Sequence, residues 1–132
     1  MLIIRLLDKK IDYTDYEIVR NLIMSRSEIV ELSKYQQLSC FLGYEMLEYN
    51  HELNQYVTEV YSVLDSIIKE CEFSKQNLII LNLLSSGYTA IEISRFINIS
   101  SQSTIFHRLK RMIIKINKVA KRREIGLSIT HD

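Results

Sequence analysis

The sequence predicts an all-α protein. It contains no proline and only three glycines in 132 residues, and these are the residues that end helices and form the tight turns of β-rich folds. Apolar residues recur three and four positions apart over most of the chain, as on one face of a helix. With 47% hydrophobic and 25% charged residues, the composition is that of a globular domain. We expect a small N-terminal helical bundle followed by a second helical domain.

The net charge of +1 hides a division of the chain into an acidic and a basic half. Residues 1–72 contain seven Lys/Arg and thirteen Asp/Glu, a net charge of −6, whereas residues 73–132 contain ten and three, a net charge of +7. Seven of the eight tyrosines also precede residue 72. The division predicts two domains, an acidic dimerisation or regulatory domain over 1–72 and a basic, polyanion-binding domain over 73–132. The acidic charge either keeps the bundle soluble or folds back to mask the basic half.

The acidic half is helical in its apolar spacing. Residues 1–7 form either a short strand or a frayed helix start. Asp15 is the expected cap of a first helix, whose inner side chains are Ile18, Leu22, Ile29 and Leu32, widened by Val19, Ile23 and Val30. A second helix is expected over 34–49, and Asn50 is the expected cap of a third.

The third helix carries an apolar stripe with alternating steps of four and three. The stripe consists of Leu53, Val57, Val60, Leu64, Ile67 and Cys71. It indicates either a helix that faces the core of the bundle or a coiled-coil-like dimer contact, and fewer than three heptads leave both open. We assign the dimer contact to four of these residues and to two from the basic half, namely Leu53, Val57, Val60, Leu64, Ile113 and Ile114.

The basic half shows local signals of three successive helices. Ser74 caps the first, which buries Ile80, Leu81 and Leu84 and ends at Gly87 in a left-handed conformation. Thr89 and Glu92 form a capping box at the start of the second. Asn98 makes a tight left-handed turn, in which Ile99 fills the angle between helices. The third helix begins at Ser100 or Ser101 and buries Ile105, Leu109, Met112 and Ile116, so the arrangement is that of a helix-turn-helix.

The same residues resemble the LuxR/GerE-type DNA-binding domain over roughly residues 73–120. The matching positions are Phe73–Ser74, Leu81–Gly87, Thr89–Ser94, Ile99–Ser100, Thr104–Ile105 and Leu109. The resemblance implies a four-helix LuxR-type helix-turn-helix domain, in which the third helix enters the major groove and the last mediates dimerisation. It also extends to the related region-four domain of bacterial sigma factors, as found in small phage-type transcription activators.

The sequence departs from the family pattern at several positions. Lys75 and Asn77 stand where Pro and Glu are usual, and Ser94 stands where Ala is usual. One extra residue lies between Ile99 and Thr104, which leaves the start of the recognition helix uncertain by about one position.

The outward face of the third helix carries the expected DNA contacts. Side chains opposite the buried stripe are the base-reading candidates Gln102, Ser103, Phe106, His107 and Lys110. Core packing is the alternative for Phe106, and an ordinary exposed position is the alternative for His107. Phosphate contacts are assigned to Thr89, Ser101, Thr104, Arg108, Arg111 and Lys115, which fix register without reading sequence. The basic run Lys118–Arg123 is either a short fourth helix along phosphates or a solvated tail.

Other classes of function find little support. The three histidines are scattered and the two cysteines, Cys40 and Cys71, have no metal-ligand spacing, so we expect no metal, no cofactor and no enzymatic activity. No stretch resembles a signal peptide or a membrane span, so we expect a cytoplasmic protein with reduced thiols.

Two functions remain. The first is a sequence-specific transcriptional regulator that binds double-stranded DNA as a homodimer, bacterial or phage in origin. The alternative is a protein-interaction module or sigma-like accessory factor that contacts RNA polymerase or a partner regulator.

Overall fold

The computed structural model describes residues 11–32, 47–98 and 101–130, with side chains from 54 and up to 125 in the last two ranges. The expectations for residues 1–7, for most of the 34–49 segment and for Ile99 lie outside these residues. Six helices are described: α1 (Tyr16–Met24), α2 (26–32), α3 (Leu47–Cys71), α4 (Lys75–Ser85), α5 (Ala90–Phe96) and α6 (Gln102–Thr130). The all-α prediction is confirmed for the described residues.

Asp15 caps α1 as predicted, but the helix is interrupted sooner than expected. Its carboxylate accepts hydrogen bonds from the backbone N–H groups of Glu17 at 2.9 Å and Ile18 at 3.3 Å. The chain leaves helical geometry at Ser25 and resumes it in α2. On α2, Ile29 is buried whereas Leu32, at the end of the described range, is 40% exposed. The assignment of Leu32 to the inner face is therefore wrong.

Helix α3 contains Asn50 rather than beginning after it. The residues on both sides of Asn50 are helical, so the prediction that Asn50 caps this helix is wrong. The sequence around Asn50 contains residue types of high helix propensity, namely Leu47, Glu48 and Glu52. The predicted apolar stripe is inward over its described length, and its buried members are Val57, Val60, Leu64, Ile67 and Cys71.

The junction of α4 and α5 follows the local sequence signals. Ser74 accepts a hydrogen bond from the N–H of Asn77 at 3.2 Å. At the end of α4 the N–H of Gly87 bonds to the carbonyl of Leu84 and that of Tyr88 to the carbonyl of Leu83, with Gly87 at φ +98°. This is the Schellman arrangement, which requires a left-handed residue. The predicted capping box of Thr89 and Glu92 then opens α5.

Helix α6 is one continuous element from Gln102 to Thr130. Between residues 73 and 130 the structure therefore has three helices, and the prediction of a separate fourth helix after residue 116 is wrong. No proline or glycine occurs before Gly126 to end α6. Its apolar spacing also continues past Ile116, since Val119 and Ala120 are each 5% exposed.

Helix α6 packs against α1, α3, α4 and α5. The buried side chains from both halves of the chain form one hydrophobic cluster, which extends from Val19 to Ala120. Hydrogen bonds cross between the halves as well, since the Asn117 amide donates to the Tyr13 carbonyl at 2.8 Å. The division near residue 72 is thus one of charge, while the core is shared.

Candidate nucleic-acid interface

The turn before α6 brings three hydroxyl groups to the start of that helix. Asn98 adopts the left-handed conformation expected of it, with φ 55°. Ser101 Oγ accepts a hydrogen bond from the Thr104 N–H at 3.3 Å, as an N-cap does. The same oxygen lies 2.9 Å from Thr104 Oγ1 and 3.1 Å from Ser103 Oγ. The first turn of α6 is therefore held in place by its own side chains.

The inner face of α6 is the one that the sequence predicts. Ile105 and Ile116 are 0% exposed, and Leu109 and Met112 are 2% exposed. Burial on this side fixes the rotation of the helix about its axis, because side chains three and four apart share a face. The five candidates for base reading are consequently all exposed, namely Gln102, Ser103, Phe106, His107 and Lys110. The side chain of Phe106 is 38% exposed.

The candidates for phosphate contact differ in their exposure and in the contacts that they make within the chain. Arg111 and Lys115 are exposed on α6. Lys115 Nζ also lies 5.8 Å above the Phe73 ring, and Arg108 donates to Gln76 Oε1 at 2.5 Å. The hydroxyl groups of Thr89 and Ser101 cap the N-termini of α5 and α6. These contacts position the groups but leave donors free, since a guanidinium has five N–H groups and only one of them is used by Gln76.

The position of each basic side chain around the axis of α6 determines whether it contacts the rest of the chain or faces solvent. Arg123 lies on the same face as the buried stripe and contacts the rest of the chain, donating to Glu70 at 2.7 Å and to Ser66 at 2.9 Å. Other basic side chains project opposite the buried stripe, on a surface that we name the outer stripe. It consists of Ser103, His107, Lys110, Arg111, Ile114, Lys118, Lys121 and Arg122, all exposed. It spans about 28 Å at 1.5 Å per residue and contains no acidic residue.

The ion pairs of the acidic half, within the described residues, involve arginines outside the outer stripe. Between the described residues, ion pairs join Arg26 to Asp65 at 2.6 Å and Arg123 to Glu70 at 2.7 Å. Neither arginine belongs to the outer stripe. The hypothesis that the acidic half masks the basic helix thus finds no ion pair of that kind within the described residues.

The residues assigned to a dimer contact have partners inside the single chain. Val57, Val60, Leu64 and Ile113 are between 0% and 6% exposed and belong to its core. The side chain of Leu53 lies outside the described residues. Ile114, at 39% exposure, is at the surface, where the cations of the outer stripe surround it. The core-facing alternative for the stripe of α3 accounts for its burial.

The sequence analysis missed an exposed aromatic cluster on α5 and the turn before it. Tyr88 and Phe96 meet edge to face with ring centroids 5.6 Å apart, and they are 41% and 63% exposed. Ile91, on the same helix as Phe96, is 47% exposed. The signal was available for Ile91, which precedes buried Ile93 by two residues and so lies on the opposite side of the helix.

Other kinds of site find no support in the described part of the chain. It contains no group of three or more His, Cys, Asp or Glu residues that could hold a metal ion. Cys71 is a free, buried thiol, and burial raises its pKa, which disfavours the reactive thiolate. Among the described helices, none combines the length and apolar character needed to cross a bilayer.

Comparisons with protein-family models, with curated proteins and with solved structures found no match to this chain.

Proposed function

We propose that the chain is a sequence-specific DNA-binding transcriptional regulator that inserts the first half of α6 into the major groove. The observation that carries the proposal is the outer stripe, a cationic helix face without acidic residues that directly follows a capped helix and a left-handed turn. A helix in this setting fits the width of the major groove of B-DNA. The resemblance to the LuxR/GerE-type domain gives the same function.

The base-reading side chains follow from their chemistry. Lys110 donates to guanine O6 or N7, and Gln102 pairs with the adenine edge. Phe106 contacts a thymine methyl group, and His107 donates to or accepts from a base edge. Phosphates are bound by Arg111 and by the donors of Arg108 that Gln76 does not use.

The test compares a base-reading variant with a phosphate-binding variant. A preferred site is first selected from randomised duplexes, and affinities are then measured on that site and on a scrambled duplex. We expect Lys110→Ala to weaken binding to the preferred site by ~1–3 kcal/mol and to relax preference at one base pair. Arg111→Ala is the matched control on the same stripe, and it should weaken binding to both duplexes equally.

Arg111 is a better control than Arg108, since Arg108→Ala would also break the contact with Gln76. If Lys110→Ala left both the affinity and the base preference unchanged, the outer stripe would not be the base-reading surface.

A second function is favoured by the exposed pair of Tyr88 and Phe96 and by exposed Ile91. Such apolar surface is typical of protein contacts, and it supports a module that contacts RNA polymerase or a partner regulator. Titration of bulk DNA at two salt concentrations separates the two functions. A DNA-binding regulator loses affinity steeply as salt rises, whereas an interaction module shows little DNA affinity at either concentration.

The homodimer stays a prediction. On DNA, a dimer requires two half-sites about one helical turn apart, and sedimentation of the free protein at micromolar concentration measures the oligomeric state.

A further inference from the structure

The C-terminal half of the outer stripe extends beyond any part of α6 that can read bases. Lys118, Lys121 and Arg122 lie eight to twelve residues after Lys110, which places them about 12–18 Å farther along the helix axis. The major groove winds around the duplex with a turn of about 34 Å, whereas α6 is a single uninterrupted helix. A straight helix whose first turns lie in the groove therefore leaves the groove and passes over the sugar-phosphate backbone.

The side chains in this second half suit phosphate binding. Lys118, Lys121 and Arg122 are exposed, in contrast to Arg123, which bonds to Glu70 and Ser66. The positions of Lys118, Lys121 and Arg122 around the helix axis thus place all three on the outer stripe with Lys110. Positive groups along a rigid element match the evenly spaced charges of a duplex, about one per 1.7 Å of helix axis.

Two of these cations line a groove. It lies between α6 and the loop before α1, and its lining residues are Thr14, Ile114, Asn117, Lys118 and Lys121. The Asn117 amide donates to the Tyr13 carbonyl at 2.8 Å and so ties the loop to α6. The Thr14 hydroxyl donates to the Asp12 carboxylate at 2.5 Å, so the donors that the groove offers to phosphate oxygens are the ammonium groups of Lys118 and Lys121.

The charge of this surface favours a polyanion over a second copy of the chain. A two-fold contact through Ile114 would bring Lys110, Lys118 and Lys121 of one copy against the same residues of the other, because such a contact uses the same patch twice. Like charges held together in this way are destabilising. A nucleic-acid backbone instead gains from each of these cations.

We propose that Lys118, Lys121 and Arg122 bind the phosphate backbone of the duplex that the first half of α6 reads, outside the groove. The inference rests on the proposed function and extends it. The single chain then has two DNA contacts in series on one helix, a base-reading half and a backbone-binding half, and the second half contributes affinity without sequence preference.

The test measures how affinity for a 30-bp duplex depends on salt in the full chain and in the triple variant K118Q/K121Q/R122Q, where the duplex length is chosen as roughly three helical turns. The slope of log affinity against log salt should fall by ~2–3, because each lost phosphate contact removes ~0.9. At ~0.1 M salt this corresponds to a loss of affinity on the order of 10²-fold. The ratio between preferred and scrambled duplexes should stay the same.

Two control variants test the effect of charge, and thermal unfolding tests folding. The charge-preserving variant K118R/K121R/R122K should keep the slope of the wild type. Lys69→Gln removes an exposed cation from the acidic half and should leave DNA binding unaltered. Thermal unfolding verifies that the triple variant is folded, and the single variant Lys121→Gln gives an independent measure, with an expected loss of ~0.9 in slope.

The outcomes distinguish this inference from the proposed function. If the wild type binds DNA with a steep salt dependence and the triple variant keeps the same slope, the backbone-binding half is refuted and the base-reading half stands. If the triple variant loses sequence preference as well, these residues read bases and the assignment to the backbone is wrong. A wild type without salt-dependent DNA binding would instead overturn the proposed function.

Discussion

The hydroxyl group of Tyr61 offers a sharp test of how the N-terminal helices are joined. It donates to the backbone carbonyl of Leu22 at 2.7 Å, and Tyr61 is only 4% exposed. Leu22 lies in the last turn of α1, where carbonyl groups lack the N–H partners that a continuing helix would provide. The hydrogen bond from α3 therefore satisfies a carbonyl at the end of α1.

We expect Tyr61→Phe to lower the free energy of unfolding by about 1–2 kcal/mol. The substitution keeps the ring, its burial and the Arg26 guanidinium 4.6 Å above its centroid. What is lost is one buried hydrogen bond, and the carbonyl left without a donor adds a desolvation penalty of about 1–3 kcal/mol in the least favourable case. Urea unfolding followed by circular dichroism measures the change, with an unchanged slope against urea as evidence that both states remain the same.

The same substitution at two further tyrosines provides a comparison for the loss of stability in Tyr61→Phe. Tyr13 donates to the Val60 carbonyl at 2.8 Å, but Val60 lies inside α3, where the helix supplies another donor. Tyr13→Phe should therefore cost less than Tyr61→Phe. Tyr88 is exposed, so Tyr88→Phe should leave stability unchanged. A Tyr61→Phe protein as stable as the Tyr88→Phe protein would refute the role given to the Leu22 contact.

The same phenols give the stability a dependence on alkaline pH. Burial raises the pKa of Tyr13 to about 12 and raises the pKa of Tyr61 as well. A raised pKa means that the folded state favours the neutral phenol, so this contribution is complete below pH 10.0, the ordinary value, and is lost as pH rises. Between pH 10 and about 12 the wild type should lose more stability than Tyr61→Phe. Equal losses would contradict the burial argument.

Two other predictions concern the left-handed turn at Gly87 and the core that the two halves share. Gly87→Ala should lower the free energy of unfolding by about 1–3 kcal/mol, since φ is +98° and a Cβ atom would lie 3.2 Å from Ser27 Oγ. Urea unfolding of the Tyr88→Phe protein is the control, and an unchanged midpoint for Gly87→Ala would contradict the strain. A fragment of residues 73–132 should lack cooperative thermal unfolding, because it exposes the faces of Ile113 and Val119 that are buried in the full chain. A fragment that melts as sharply as the full chain would show that the basic half folds by itself.

The sequence alone determined the features that depend on neighbouring residues. The caps at Asp15 and Ser74, the capping box of Thr89 with Glu92 and the left-handed turn at Asn98 are all present as expected. Each is formed by side chains and backbone groups within a few positions of one another. The exposure of the candidate base-reading residues follows in the same way, because the phase of one apolar stripe fixes the opposite face of its helix.

The tertiary structure decided which surface each apolar stripe meets. Periodicity shows that a helix has an apolar face, but it does not show whether that face packs within the chain or against another copy. Val57 and Ile113 are accordingly in the core of one chain, where the sequence allowed a dimer contact. The break of helical geometry at Ser25 was likewise not predicted from the local sequence. Long-range burial outweighs local preference at such positions, since stability of a helix in a protein comes mainly from its tertiary contacts.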